Sequence, residues 1–292
     1  MAQLYNYKQE KLTSEDQFNT LERGIGRGKA LVKFYSQFTS DFKNKEVLDI
    51  GCGLGSVTLE FSELFKQVNS IDVDPICVST TQKRVELNKK KNVLVQSGSA
   101  LKIPLKDSAV DHVSMNGVFE WVRQGAPQLS AKRAQMKTLA EVSRVLDTNG
   151  YLVVGIENRG FPYFWLSDPH TSFPVIVILP EFLRDFVFKI VHGTKFLPAI
   201  YSYWTYKRMF TKQFGNAKLY VPLPHYQFPY EVADLNKPSE IIEKCNKVLR
   251  EHKLKRAHKW GIIFTKWATR LRLHKLLVPG FMIVSQKRQK KQ

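Results

Sequence analysis

The sequence predicts an α/β fold, a mostly parallel sheet with helices on both faces. Two observations lead there. Short apolar runs alternate with helical patterns from residue 46 to residue 156, at the spacing of βαβ units. The first run, Glu46 to Ile50, opens into three glycines at every second position, Gly51, Gly53 and Gly55, and a helical pattern follows directly, from Ser56 to Gln67. Glycines let the backbone turn sharply and lie close to a ligand because no Cβ intrudes. Such a turn delivers the ligand to a helix N-terminus at the carboxyl end of a strand.

The glycine spacing separates two ligand classes. A nicotinamide or flavin loop reads G-x-G-x-x-G and holds a pyrophosphate. Here the glycines read G-x-G-x-G, with Asp49 two residues ahead of them. A carboxylate facing the loop suits a ligand with a cationic amino group and no pyrophosphate. Asp49, Gly51, Gly53 and Gly55 together resemble the first motif of the class I S-adenosylmethionine (SAM) methyltransferases, D-x-G-x-G-x-G.

The next elements follow the order that this resemblance implies, a Rossmann-like seven-stranded methyltransferase sheet with an antiparallel last strand. The segment Gln67 to Asp74 reads as a second strand ending in acid, about 20 residues past the glycines. In the family this acid binds the ribose hydroxyls, which implies Asp72. Asp74, just before Pro75, suits the N-cap of the next helix. A third strand, Asn92 to Gln96, leads to Ser99 and Ala100, where the family places its adenine contact. The usual acid there is replaced by Ser99, so backbone around Ala100 is the expected substitute. Cys52 belongs to the glycine loop expected to bind the cofactor, where its own side chain reads as a small packing residue. Strand four, Val110 to Met115, runs into Asn116-Gly-Val-Phe-Glu120, which in the family lies beside the sulfonium and the acceptor. A helix, Lys132 to Leu146, stops at Asn149-Gly150, and strand five is expected over Tyr151 to Ile156.

Beyond strand five the chain is too long for a plain connection. Residues 157–200 form a first insertion, and long insertions of this kind make lids or binding surfaces. A helix, Thr205 to Phe214, and a sixth strand, Lys218 to Val221, are followed by a second insertion, 222–279. The last strand, Phe281 to Ser285, is expected antiparallel between strands five and six. Residues 1–45 read as a mostly helical N-terminal segment, 46–286 as the methyltransferase domain, and 287–292 as a basic tail.

The acceptor side rests on weaker patterns. Glu157-Asn-Arg159, then Asp168-Pro-His-Thr171, then Val221-Pro-Leu-Pro-His-Tyr-Gln-Phe-Pro229 resemble a subset of methyltransferases found with glycan-assembly enzymes. A sugar hydroxyl is a poor nucleophile unless a base removes its proton. His170 is the first candidate base, since histidine titrates near neutral pH, and Glu157 is the second. Glu120, Arg159, Tyr163 and Asp168 are candidates to contact the acceptor. The loop after strand four lacks the D/N-P-P-aromatic signature of amide or base-amino methylation.

Charge marks the C-terminal region. The net charge is +19, and residues 243–292 hold 15 Lys or Arg against Glu243 and Glu251, so this stretch carries +13 of it. Within it, Trp260, Ile263, Phe264, Trp267 and Leu271 repeat at helical spacing with lysines and arginines interleaved. That pattern fits either a core helix with a solvated basic face or a helix lying on an anionic membrane. The three cysteines, Cys52, Cys77 and Cys245, show no metal-ligand spacing, and no metal is expected. Neither a signal-peptide core nor an apolar run of membrane-spanning length is present, so a cytoplasmic enzyme, peripheral on the inner face of a membrane, is expected. The resemblance thus implies SAM-dependent O-methylation of a saccharide or glycolipid. RNA methylation, motivated by the basic C-terminus, and a non-catalytic adaptor role are the alternatives. Oligomeric state is left open.

Overall fold

The computed structural model describes residues 27–288. The expected N-terminal helical segment therefore lies largely outside the described residues, as do residues 289–292 of the basic tail. Within the described chain one sheet of eight strands runs in the order β3-β2-β1-β4-β5-β8-β6-β7. The strands are β1 (Glu46–Ile50), β2 (Gln67–Asp72), β3 (Val93–Ser97), β4 (Val110–Asn116), β5 (Leu146–Glu157), β6 (Lys218–Leu223), β7 (Glu231–Asp234) and β8 (Gly280–Gln286). Strands β1 to β5 are mutually parallel where they pair. Strand β8 inserts antiparallel between β5 and β6, as the sequence implies.

The sheet has one strand more than the seven expected. The extra strand, β7, pairs antiparallel with β6 at the sheet edge. It spans four residues inside the second insertion, too short for an alternation of apolar residues to stand out. The helix after the glycine loop is also shorter than its pattern suggests, because β2 already begins at Gln67.

Alternation along the strands divides the core between two faces. On β8, Phe281 and Ile283 join one apolar cluster while Met282 and Val284 join the other. The first cluster is covered by α4 (Ala131–Val145), α7 (Tyr203–Phe214) and α8 (Pro238–Glu251). The second is covered by the helical residues 27–35, called α1, and by α2 (Ser56–Ser62). Helix α4 shows why such segments fold as they do: Ala131, Ala134, Gln135, Thr138, Leu139, Val142 and Val145 all lie buried on one stripe. Helix α3 (Pro75–Leu87) starts where Asp74 accepts a hydrogen bond from the Ile76 amide at 2.9 Å, with Pro75 at its first position.

The two insertions behave differently from the core. The first contributes the short α5 (Tyr163–Leu166) and α6 (Glu181–His192). The second contributes α9 (Arg256–Arg270) and the short α10 (His274–Leu277) after α8. On α6 the apolar side chains Phe182, Phe186 and Ile190 face outward while Arg184 is the buried residue. On α9 the expected apolar stripe also lies outside: Trp260, Ile263, Trp267 and Leu271 are exposed, whereas Ile262, Thr265, Ala268 and Thr269 face in. Phe264 alone of that stripe turns toward the first insertion, edge-on to Phe161 at 5.6 Å.

Candidate active site

The glycine loop is built as its residue types require. Gly51, Gly53 and Gly55 all have positive φ, at 73°, 55° and 79°, a region that side chains with a Cβ rarely adopt. Their surroundings differ. A Cβ on Gly51 would lie 2.3 Å from Val118, and one on Gly55 would lie 2.8 Å from Thr81, so these two permit close packing. A Cβ on Gly53 would meet nothing within 4 Å. Gly53 therefore fronts open space, as a cofactor cradle requires.

Acids flank this space. One oxygen of Asp72, at the end of β2, accepts from the Gly53 amide at 2.9 Å and the other from the Asp74 amide at 3.0 Å. Its carboxylate is half-buried at the rim, with lone pairs left for a diol. Asp49 is buried beneath the loop and accepts from Thr58 at 2.7 Å. Burial drives its carboxyl up to about 6, against the Thr58 hydrogen bond, which favours the ionised form. Cys52 is buried and contacts Thr81, a packing role. Ser99 accepts from the Leu101 amide at 3.2 Å and so shapes the turn that presents Ala100. Asn116, at the end of β4, is fully engaged: its carbonyl and side-chain oxygen both accept from Arg27, and its amide donates to the Tyr226 carbonyl at 3.2 Å.

Just beyond the carboxyl ends of β4 and β5, three sequence-predicted residues converge. Glu120, Glu157 and His170 each bring one oxygen or nitrogen to within 4.8 Å of the others. The Tyr226 hydroxyl donates to one oxygen of Glu157 at 2.7 Å. The other Glu157 oxygen stands 3.8 Å from His170 Nε2. That oxygen, His170 Nε2 and Glu120 Oε2 are buried without a hydrogen-bond partner. Burial first, and the charge of Glu157 second, push the Glu120 carboxyl well above the usual range. His170 is held by its surroundings: its ring lies edge-on to Trp121 at 4.9 Å, and its amide donates to Asp168 at 3.0 Å.

Of the residues expected at the acceptor, Asp168 and Arg159 hydrogen-bond within the first insertion and Tyr163 is exposed. Asp168 is buried, and its Oδ1 accepts from the amides of His170 and Thr171 and from the Thr171 hydroxyl. This turn positions His170 and leaves Asp168 facing the loop interior. Arg159 donates to the carbonyls of Ile178 and Leu179, tying the first insertion together. Tyr163 is largely exposed on the surface of that insertion.

Conversely, Arg27, Trp121, Tyr226 and His225 belong to the site without having been singled out. Tyr226 and His225 sit in the Val221-to-Pro229 run, but nothing in the run says which ring turns inward. A cavity of about 630 Å³ opens beside this loop, lined by Ala30, His225, Tyr230, Lys253, Lys255 and His258 among others. Burial, then the neighbouring His258, Arg27 and His170, hold the His225 imidazole down at about 3. His225 lines the cavity and the adjacent Tyr226 binds Glu157, so one loop joins the cavity to the buried cluster.

Comparison with known proteins agrees with this geometry. Residues 48–154 match the family described as a methyltransferase domain. An uncharacterized protein of Rickettsia prowazekii is 32% identical over 112 residues, covering 36% of this chain and 40% of that protein. A probable cobalt-precorrin-6B C(15)-methyltransferase of Methanobrevibacter smithii is 40% identical over 58 residues, covering 20% of this chain and 29% of that protein. The chain thus spans less than half the length of these curated relatives. A SAM-dependent methyltransferase of Methanosarcina mazei shares the fold, with 15% identity, a TM-score of 0.50, and coverage of 88% of this chain and 98% of that one. Glycine loop, strand order and domain match agree, and residues 48–154 form a methyltransferase domain of the class I SAM-dependent type.

Proposed function

We propose that the chain transfers the methyl group of S-adenosyl-L-methionine to a hydroxyl of a saccharide or glycolipid acceptor at an anionic membrane surface. The observation that supports this most is the Glu157–His170 pair, buried at the carboxyl ends of the core strands with its facing atoms unpaired. A hydroxyl must lose its proton to become a competent nucleophile, and this pair can take it.

In this reading Asp49 faces the cofactor's ammonium group, Asp72 its ribose hydroxyls, Ser99 and Ala100 its adenine, and Gly53 leaves room for it. The sulfonium supplies an electrophilic methyl group. Alignment of the acceptor with that carbon provides most of the acceleration. The S–CH3 bond breaks as the O–CH3 bond forms, a thioether leaves, and the hydroxyl proton passes to the Glu157–His170 pair. The cavity beside His225, with Lys253, Lys255 and His258 on its wall, suits an acceptor that carries negative charge.

Membrane attachment draws on the outward apolar residues of α6 and α9 and on the basic C-terminal stretch. Tryptophans at an interface with cations on lipid headgroups are the chemistry of such helices. No helix among the described residues is long and apolar enough to cross a membrane.

Labelled SAM incubated with lipid, glycan and RNA extracts tests the acceptor class. Transfer into alkali-stable ether linkages of a glycan or glycolipid is expected. Label appearing in RNA alone would overturn the reading.

A further inference from the structure

We propose that Glu120, Glu157 and His170 form a divalent-cation site that activates the acceptor hydroxyl. Two carboxylates and one imidazole nitrogen converge with unpaired buried atoms, among the described residues the one such grouping able to hold a metal ion. Glu120 is only 1% exposed and Glu157 4%. Two neighbouring buried acids are costly, because the only donor to either carboxylate among the described side chains is the Tyr226 hydroxyl on one oxygen of Glu157, and the facing oxygens have none. The charge of Arg27 favours the ionised Glu120 only in part, against burial, and its hydrogen bonds go to Asn116. A divalent ion balances both carboxylates, and an oxygen–oxygen–nitrogen set is a familiar first-row metal environment.

The dimensions agree. Ligand atoms roughly 2.0–2.2 Å from an ion span the 3.8 Å between Glu157 and His170 at an open angle. The supporting contacts are those that metal ligands usually have. Tyr226 fixes the second oxygen of Glu157, Trp121 orients the His170 ring, and Asp168 anchors the His170 backbone. Three protein ligands leave positions for an acceptor oxygen, whose O–H bond the ion weakens. The role of His170 is thereby refined: as a ligand it acts on the hydroxyl through the ion, and the proton is shed to water. The catalytic part of this inference rests on the hydroxyl-acceptor reading; the ion site itself does not.

The test titrates the chelator-stripped full chain with Mn2+, followed by electron paramagnetic resonance, and with Zn2+ by calorimetry. One ion per chain is expected, with affinity at least tenfold weaker in Glu120→Gln and in His170→Ala. Thermal melts supply a second readout: ion should raise the Tm of the wild type but not of the variants, whereas Glu120→Gln alone should raise the Tm of stripped protein. Absence of stoichiometric binding of either ion, or equal binding by the variants, overturns the site. Ion binding without any hydroxyl methylation would sink the acceptor reading and leave the site standing, while methylation that persists after complete chelation would sink the ion's catalytic role.

Discussion

Arg123 grips Asp185 with both arms of its guanidinium, at 3.0 and 2.6 Å, and so fastens helix α6 to the segment that follows β4. The same side chain also donates to the carbonyls of Leu129 and Phe196 and lies 3.5 Å from Glu181. It is buried, so its loss takes this donor from Asp185 and two carbonyls and the cation from beside Glu181. Arg123→Met should cost about 3–5 kcal/mol in chemical denaturation. Arg123→Met combined with Asp185→Leu should recover much of that loss, because both partners of the pair are then gone.

The proton-removal reading makes His170 separable from cofactor binding. His170→Ala should lower turnover by about 10²- to 10⁴-fold, measured with labelled SAM and the identified acceptor. SAM affinity by calorimetry should stay within about twofold. Turnover equal to wild type would remove His170 from the chemistry.

Asp49 links cofactor binding to pH-dependent stability. Its carboxyl titrates at about 6 in the fold against 3.8 ordinarily, so the folded state holds this proton more tightly than the unfolded one. Stability is therefore full below about pH 4 and falls as the pH rises through 6, by up to about 3 kcal/mol. Asp49→Asn should stabilise the cofactor-free protein at pH 7.5, lose that advantage below pH 4, and weaken SAM binding. Denaturation at the two pH values, with SAM titrations alongside, checks all three.

The glycine loop predicts two unlike defects. Gly51→Ala meets Val118 and should destabilise the fold by more than about 2 kcal/mol, with partial rescue by Val118→Ala. Gly53→Ala meets no atom and should cost about 1 kcal/mol from its left-handed backbone. Its larger effect should be on SAM affinity, measured by calorimetry.

The outward tryptophans predict where a bilayer is met. Trp260→Ser with Trp267→Ser should reduce co-sedimentation with phosphatidylserine vesicles by at least about tenfold, with unchanged melting temperature. Raising salt should weaken the wild type further, because the basic residues of 243–292 contribute about 1 kcal/mol each near an anionic surface. Equal sedimentation of variant and wild type would end the membrane reading.

The core was legible because each strand carries a dense apolar run and each connection a recognisable stop. Glu46–Ile50 and its glycines come out of the sequence residue for residue, and the antiparallel last strand comes from the resemblance. The Glu120–Glu157–His170 cluster was legible only in part. Its members were named separately, as acceptor contact and candidate bases, because residues 120, 157 and 170 meet through tertiary folding that no local period records. The face of α9 was the hardest to read. Its apolar stripe was visible, but small residues such as Ala268 and Thr269 pack inward, and hydrophobic pattern alone does not say which side a helix buries. Asp168 shows the converse, since a buried acid in a loop can spend its oxygens on its own backbone.

The place of β8 in the sheet bears on how the molecule is made. Strands β6 and β7 reach the rest of the sheet only through β8, which is the last strand of the described chain to leave the ribosome. Until residues 280–286 emerge, β5 and β6 each present an open edge, and the glycine loop is complete while the first insertion and acceptor side are not. A nascent chain of this kind can hold its cofactor half in native form and still need the final strand to close the molecule. Emergence of residues 280–286, more than any earlier step of synthesis, is when the two halves become one.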